Sequence, residues 1–358
     1  MVVQEFMEKG HLLSPDAFSF LQNKNIEDFL KKDYPNIIIS SRDFLTDYKI
    51  LKNLAKKPNE ITTEDFIIFY KSKYEKMKSM ILSRIQKEFT SLNKIDSSLK
   101  DIYVIGIVKE RKHKDNKFII ELEDMTGSMA VVFDENPEVE EDDVIAVHGT
   151  AGGKIIYGKK VLFPDIPLRQ PSKGHGTACF ISDLHMDEMP LKEIEKFFTW
   201  FEKEDIHYLF VAGDVGDKKN FEMLVNRHCS FKTVFIIPGN MDNKDDYPQL
   251  PEKYEAKNIV PLSNPAMVEA GGLKVLMIHD MNIDFLKKRH LGKSKLILKE
   301  DYLVLEEVPD IVHCGHTHDP QIMNYKSVTL VNSGSPLVDF RPVKIDFATR
   351  EAEFVVIK

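Results

Sequence analysis

The sequence predicts an α/β multidomain protein: an N-terminal helical region, a five-stranded β-barrel and a C-terminal α/β domain. Three observations carry this expectation. Hydrophobic residues are 42% and charged residues 30% of 358, enough apolar material for real cores and too much chain for one ordinary domain. Five β-like runs crowd into residues 102–163. From residue 177 onward, five apolar runs each stop in Asp, Asn or His.

The first segment, residues 1–97, reads as helical. Ser14-Pro15-Asp16 marks a helix start, with a capping hydroxyl, proline at the first helical position and an acid in the first turn. A long helix follows Thr62-Thr63-Glu64-Asp65. Its stripe of Phe66, Tyr70, Tyr74, Met77, Ile81, Ile85 and Phe89 steps by three or four. Lys71, Lys73, Lys76 and Lys78 fill the opposite side, expected as a solvated face or as a face for DNA or a partner.

Residues 98–170 change character. The runs 102–112, 117–123, 128–133, 143–149 and 154–163 are separated by turn clusters such as Lys114-Asp115-Asn116 and Ala151-Gly152-Gly153. Five short strands in about 70 residues fit a Greek-key barrel of the OB type. Such barrels bind single strands through aromatic residues over a basic groove. This one is acidic and poor in aromatics, which favours packing over stand-alone DNA binding. A polar stretch, Pro167 to Gly176, leads into the last domain, residues 171–358.

Charge and cysteine usage narrow the class. Residues 1–100 carry 17 basic against 14 acidic side chains, and residues 101–170 carry 9 against 14, within a net charge of −8. A free-standing DNA binder would show a basic face, so contact with nucleic acid is expected to be local, through metals or beside a partner. The run from Val234 to Pro238 falls far short of the roughly 20 residues of a membrane helix. No basic-then-apolar leader opens the chain. Cys179, Cys229 and Cys314 offer neither a disulfide framework nor a thiolate zinc cluster. The expectation is a soluble, cytoplasmic protein with no membrane association.

The chemistry lies at the strand ends. Thr177–Ile181 runs into Ser182-Asp183-Leu184-His185, and Tyr208–Ala212 into Gly213-Asp214. Thr233–Ile237 runs into Pro238-Gly239-Asn240, and Lys274–Ile278 into His279-Asp280. Asp310-Ile-Val312 leads to His313-Cys314-Gly315-His316-Thr317-His318. Sheets flanked by helices build sites at the carboxyl ends of strands. The ligand set is Asp183, His185, Asp214, Asn240, His279, His316 and His318, too many for one ion. A carboxylate bridging two ions suits it, with Asp214 as the natural bridge. Mixed imidazole and carboxylate donors favour Mn, Fe or Zn over Ca or Mg. Two such divalent metal ions clamp both sides of an in-line phosphoryl displacement. Asp-x-His alone is a weak signal; five ligand-bearing ends in order are a strong one. His175, His207, His228 and His313 fit no ligand slot.

Together, Asp183-Leu-His185, Gly213-Asp214, Gly239-Asn240, His279 and Gly315-His-Thr-His318 resemble the signature of calcineurin-like metallophosphoesterases. The fold this implies is a β-sandwich flanked by helices. Val104-Ile-Gly-Ile-Val108, Glu121-Leu-Glu-Asp-Met-Thr-Gly127, Lys287-Lys-Arg-His-Leu291, Asp301 to Asp310 and Leu330-Val-Asn-Ser-Gly334 are similar to the small subunits of archaeal family-D DNA polymerases. The resemblance implies a two-metal 3′→5′ exonuclease, active on single-stranded or primer-template DNA, that also scaffolds a large catalytic subunit. It implies catalytic roles for Asp214, Asn240 and Asp242.

One position departs from that pattern. The family runs Gly-Asn-His-Asp; this chain has Gly239-Asn240-Met241-Asp242. The resemblance assigns that histidine to the scissile phosphate and the leaving group, and a thioether serves neither. His290, or Arg289, is the candidate to replace it from a loop. Asp280 also stands where glycine is usual. Three readings follow: a proofreading exonuclease, a structural subunit whose metal site outlasts its activity, and a stand-alone phosphodiesterase for small nucleotides. Met241 weighs towards the second, while the barrel and the N-terminal helices weigh against the third.

Overall fold

The computed structural model describes residues 2–22, 26–30, 34, 37–39, 48–57, 61–229, 231–243, 247–280 and 282–357. The chain forms two compact units, neither of them one continuous stretch. The first comprises Met1–Lys56, Gln170–Met281 and Pro309–Lys358, and the second Lys57–Arg169 and Asn282–Val308. The units therefore do not follow the sequential blocks 1–97, 98–170 and 171–358. The long helix groups with the barrel, the first 56 residues with the C-terminal domain, and residues 282–308 with the barrel.

In the first unit the described N-terminal residues form both helices and short strands. Helices α1 (Val2–Glu8), α2 (Pro15–Leu21) and α3 (Ile26–Leu30) alternate with short strands β1 (Leu12–Leu13) and β2 (Ile38–Ile39). The Ser14 hydroxyl caps α2 by accepting from the Ala17 N–H, with Pro15 beginning the helix as predicted. Phe6, Ala17, Leu21 and Ile39 close a small core. A third strand, β3 (Tyr48–Lys52), was not foreseen; with two lysines in five residues it reads as a polar connector. Those lysines suit its place at a sheet edge, where charge discourages further pairing.

The second unit holds α4 (Thr63–Arg84) and a closed barrel. The barrel strands are β4 (Ile102–Lys114), β5 (Lys117–Asp124), β6 (Gly127–Phe133), β7 (Val144–Ala151) and β8 (Ile155–Leu162), in the order β4-β5-β6-β8-β7. They match the five predicted runs to within two residues at each end. Val104, Val108, Ile120, Leu122, Val131 and Ile156 fill the interior. Thr62 and Asp65 form a reciprocal capping box at the start of α4. The buried face of α4 is Phe69, Lys73, Tyr74, Met77 and Ile81, while Phe66 and Tyr70 are exposed. The helix stops at Arg84, so Phe89 lies beyond it, bridging to Tyr103. Lys73 is buried rather than solvated, and Lys76 pairs with Glu300 and Glu306.

The rest of the first unit is a two-sheet sandwich. Its strands are β9 (Thr177–Ile181), β10 (Tyr208–Ala212), β11 (Thr233–Ile237), β12 (Ile259–Pro261), β13 (Ala266–Ala270), β14 (Leu273–Met277), β15 (Ile311–Cys314), β16 (Gln321–Tyr325), β17 (Val328–Asn332), β18 (Gly334–Ser335), β19 (Asp339–Phe340), β20 (Val343–Asp346) and β21 (Ala352–Phe354). One sheet runs β12-β11-β10-β9-β20-β21 and the other β16-β17-β15-β14-β13-β3, while β18 and β19 pair as a separate two-stranded sheet. Side chains alternate along β9. Ala178 and Phe180 enter the core between the sheets, while Cys179 and Ile181 face α5 (Leu191–Lys203) and α6 (Lys218–His228). On α5, Ile194, Phe197, Phe198 and Phe201 make the apolar stripe that covers this sheet. The last described helix, α7 (Asp284–Lys288), belongs to the barrel unit.

Candidate metal centre

Strands β9, β10 and β11 run parallel, as do β14 and β15 in the other sheet. Their carboxyl ends therefore deliver Asp183, His185, Asp214, Asn240, His279, His316 and His318 to one edge of the sandwich. Ligand atoms of Asp183, His185 and His318 lie within 4.8 Å of one another, and so do those of Asp183, Asp214 and His279. The carboxylate common to both groups is Asp183. The Nε2 atoms of His185 and His318 are 3.1 Å apart. Asn240 Oδ1 lies 2.9 Å from both His279 Nε2 and His316 Nδ1.

The backbone is strained to achieve this. Asp183, His185, Asp214, His316 and His318 all have φ between +43° and +67°, the left-handed region that non-glycine residues rarely enter. Gly213 needs that region too, at φ +82°. Gly239 and Gly315 serve a different need. A Cβ on Gly239 would come within 2.1 Å of Asp214 Oδ1, and one on Gly315 within 2.5 Å of Asp183 Oδ2. They allow close approach rather than a turn.

Hydrogen bonds fix the donor atoms. His279 Nδ1 donates to the Ala212 carbonyl at 2.6 Å, which leaves Nε2 facing Asn240 and Asp214. The His316 N–H donates to Asp183, and the Met241 N–H to Asp214 Oδ1 at 2.8 Å. Asp242 is a staple. Its carboxylate accepts from the main-chain N–H groups of Val215, Gly216 and Gly239, tying together the two loops that carry Asp214 and Asn240.

Sequence reasoning missed further supports. Asn264 Oδ1 accepts from the His279 N–H, and its amide donates to Gln249. Gln249 in turn donates to the Gly239 and Asn243 carbonyls. Asn332 donates to the Gly315 carbonyl and Thr317, Ser333 Oγ accepts from the Ser182 N–H, and Ser335 donates to the Asp183 carbonyl. Only Leu330-Val-Asn-Ser-Gly334 gave a signal, as a stretch of family resemblance without a role.

Charge is concentrated at this edge. Asp183 is fully buried, and burial pushes its carboxyl up. Burial would also raise Asp214, but the hydrogen bond and charge of His279 outweigh it and hold Asp214 below the usual carboxylate range. Burial would lower His279, but Asp214 wins and lifts it to about 9. Two buried carboxylates thus demand a positive charge beside them. With convergent, ring-oriented nitrogens, this is the demand a divalent cation meets, so the donor set fits the implied metals.

His290 belongs to the barrel unit, where its Nε2 lies 2.8 Å from Asp301. Met241 stands at the centre with its side chain 60% exposed and no polar group to offer. His228 pairs with Glu202, and His313 is buried inside the sandwich.

Residues 177–353 match the family model described as the calcineurin-like phosphoesterase superfamily domain. This region is a calcineurin-like phosphoesterase domain. The chain is also similar to proteins named DNA polymerase II small subunit, over most of its length. That of Methanothermobacter thermautotrophicus is 27% identical, covering 89% of this chain and 83% of that protein. That of Archaeoglobus fulgidus is 29% identical, covering 80% and 73%. That of Thermoplasma acidophilum is 26% identical, covering 93% and 85%. Among the described residues, no helix is long and apolar enough to cross a membrane.

Proposed function

We propose that this chain is the small subunit of an archaeal DNA polymerase D, a 3′→5′ exonuclease that proofreads for a large catalytic subunit and scaffolds it in the cytoplasm. The observation that carries the reading is the gathering of seven O and N donors at the strand ends, in a chain similar to polymerase small subunits. In this reading Asp183, His185, Asp214, Asn240, His279, His316 and His318 would hold two divalent ions. When bound, the pair would polarise the phosphate and make water nucleophilic at neutral pH. The protein's part is orientation: the Ala212 carbonyl turns His279, the Met241 N–H fixes Asp214, and Asp242 locks the loops.

A second reading has its own observation. The side chain beside Asn240 is methionine, so no proton donor stands where the resemblance places one. The chain is then a weak nuclease or a structural subunit with a retained metal site. The test is digestion of 5′-labelled single-stranded DNA by the purified chain with Mn²⁺. Products shortened from the 3′ end, lost in Asp214→Ala, support the nuclease; intact DNA under the same conditions leaves the structural reading.

A further inference from the structure

Asn240 and His279 follow strands of different sheets, β11 and β14, yet Asn240 Oδ1 and His279 Nε2 meet at 2.9 Å. Two residues outside the named strands link the loops that carry them. Gln249 and Asn264 form an isolated antiparallel bridge, each main-chain N–H donating to the other's carbonyl, at 2.8 and 3.0 Å. Both residues are buried. Gln249 Nε2 donates to the Gly239 carbonyl at 3.2 Å and to the Asn243 carbonyl at 2.6 Å. Gln249 Oε1 accepts from Asn264 Nδ2 at 2.7 Å, and Asn264 Oδ1 accepts from the His279 N–H at 3.2 Å. The path thus runs from the loop of Asn240 to the main chain of His279, and it closes where the two ligand atoms meet.

The direction of each bond in this ring is fixed from its ends. Gly239 and Asn243 present carbonyls, which only accept, so Gln249 must turn its amide nitrogen to them. Its oxygen then needs a donor, so Asn264 turns its nitrogen to Gln249 and its oxygen to His279, whose N–H only donates. Neither amide can flip without setting oxygen against oxygen or N–H against N–H. Buried amides that lose partners in any other arrangement hold the two loops in this one. Packing alone calls for no such polarity.

We propose that Gln249 and Asn264 are positioning residues that preset the separation of Asn240 and His279 before an ion arrives. This role rests on Asn240 and His279 being metal ligands. Hydrogen-bonded partners standing behind ligands change metal affinity by about 10–100-fold.

The test is titration of the full chain with Mn²⁺, the free ion being read by electron paramagnetic resonance. Gln249→Met keeps the length of the side chain and removes both donors. It should weaken Mn²⁺ binding about ten-fold or more and broaden the lines of the bound ion. Asn264→Ala should act in the same way, and the double variant should lose little beyond either single one, because both residues belong to one ring. Gln249→Glu separates positioning from charge. An added carboxylate by itself favours a cation, whereas the ring requires weaker binding, since Glu offers no N–H to the two carbonyls. Ile194→Val, in the buried stripe of α5, controls for lost stability, and thermal unfolding shows which variants are folded. If Gln249→Met does not fold, Asn264→Ala carries the comparison. Unchanged Mn²⁺ affinity in folded Gln249→Met, an equal loss in Ile194→Val, or tighter binding by Gln249→Glu would overturn the positioning role and leave the metal centre standing. A wild-type chain that binds no Mn²⁺ would overturn the metal centre itself, and this role with it.

Discussion

The main-chain N–H of Met241 donates to Asp214 Oδ1 at 2.8 Å, while Met241 itself is 60% exposed. The residue thus has two separable parts: its backbone holds a candidate ligand, and its side chain stands where the family resemblance places a proton donor. A substitution changes only the second.

Met241→His should therefore keep the metal content and raise 3′→5′ degradation on the order of 10²-fold, the scale of one general acid. The gain should lie in kcat, because the interaction belongs to the transition state. Steady-state digestion of a defined single strand checks this. A wild-type chain already as fast as the variant would place proton transfer on another residue.

Asp214→Ala should lower bound metal and thermal stability together, because a ligand held by the native state alone adds to stability. Elemental analysis and unfolding curves, with and without chelator, make the comparison. Chelator should shift the wild-type midpoint and leave the variant's nearly unmoved.

Asp242→Ala should orphan three main-chain donors, at a cost of about 1–3 kcal/mol. Unlike Met241→His, it should loosen both ligand loops, so stability and metal affinity fall together. Asp242→Asn, which keeps one acceptor oxygen, should fall between. Unchanged metal affinity in folded Asp242→Ala would remove the staple role.

His313 is fully buried against Phe180, and burial pushes its pKa down to about 3, with the Ile181 main chain offsetting little. Its unfolded value is near 6.5. The folded state therefore favours the neutral ring: stability is fully present above about pH 6.5 and is lost as pH falls towards 3. His313→Phe should flatten the fall in unfolding midpoint between pH 7 and 5. An identical slope in wild type and variant would show that other groups control acid sensitivity.

The proposed complex with a large polymerase subunit should survive Met241→His, since Met241 is 60% exposed. Co-purification from co-expressed subunits measures this. Loss of the complex in Met241→His would place Met241 in the interface.

The barrel and the ligand-bearing strands were legible because period-two and apolar runs are local signals. Val104 to Val108 and Tyr208 to Ala212 announce themselves within five residues. The ligands were legible because Asp, His and Asn at such ends have few other reasons to be there. Lys73 misled because a helical wheel ranks lysine by type, while its burial depends on residues more than 200 positions away, around Asp301. β3 was missed because its pairing partner, β13, is equally remote. The resemblance implies a catalytic role for Asp242 but carries no sign that its carboxylate accepts from three main-chain N–H groups, because two of those partners, Val215 and Gly216, lie on a remote loop.

Residues 282–308 leave the sandwich after His279 and return before His316, spending the interval in the barrel unit. On the ribosome, His279 emerges well ahead of His316 and His318, while the barrel awaits Val304 to complete its packing against Tyr74, Met77 and Ile81. Neither unit is complete until residues 282–308 have been made, so a chain cut before them would hold neither body whole.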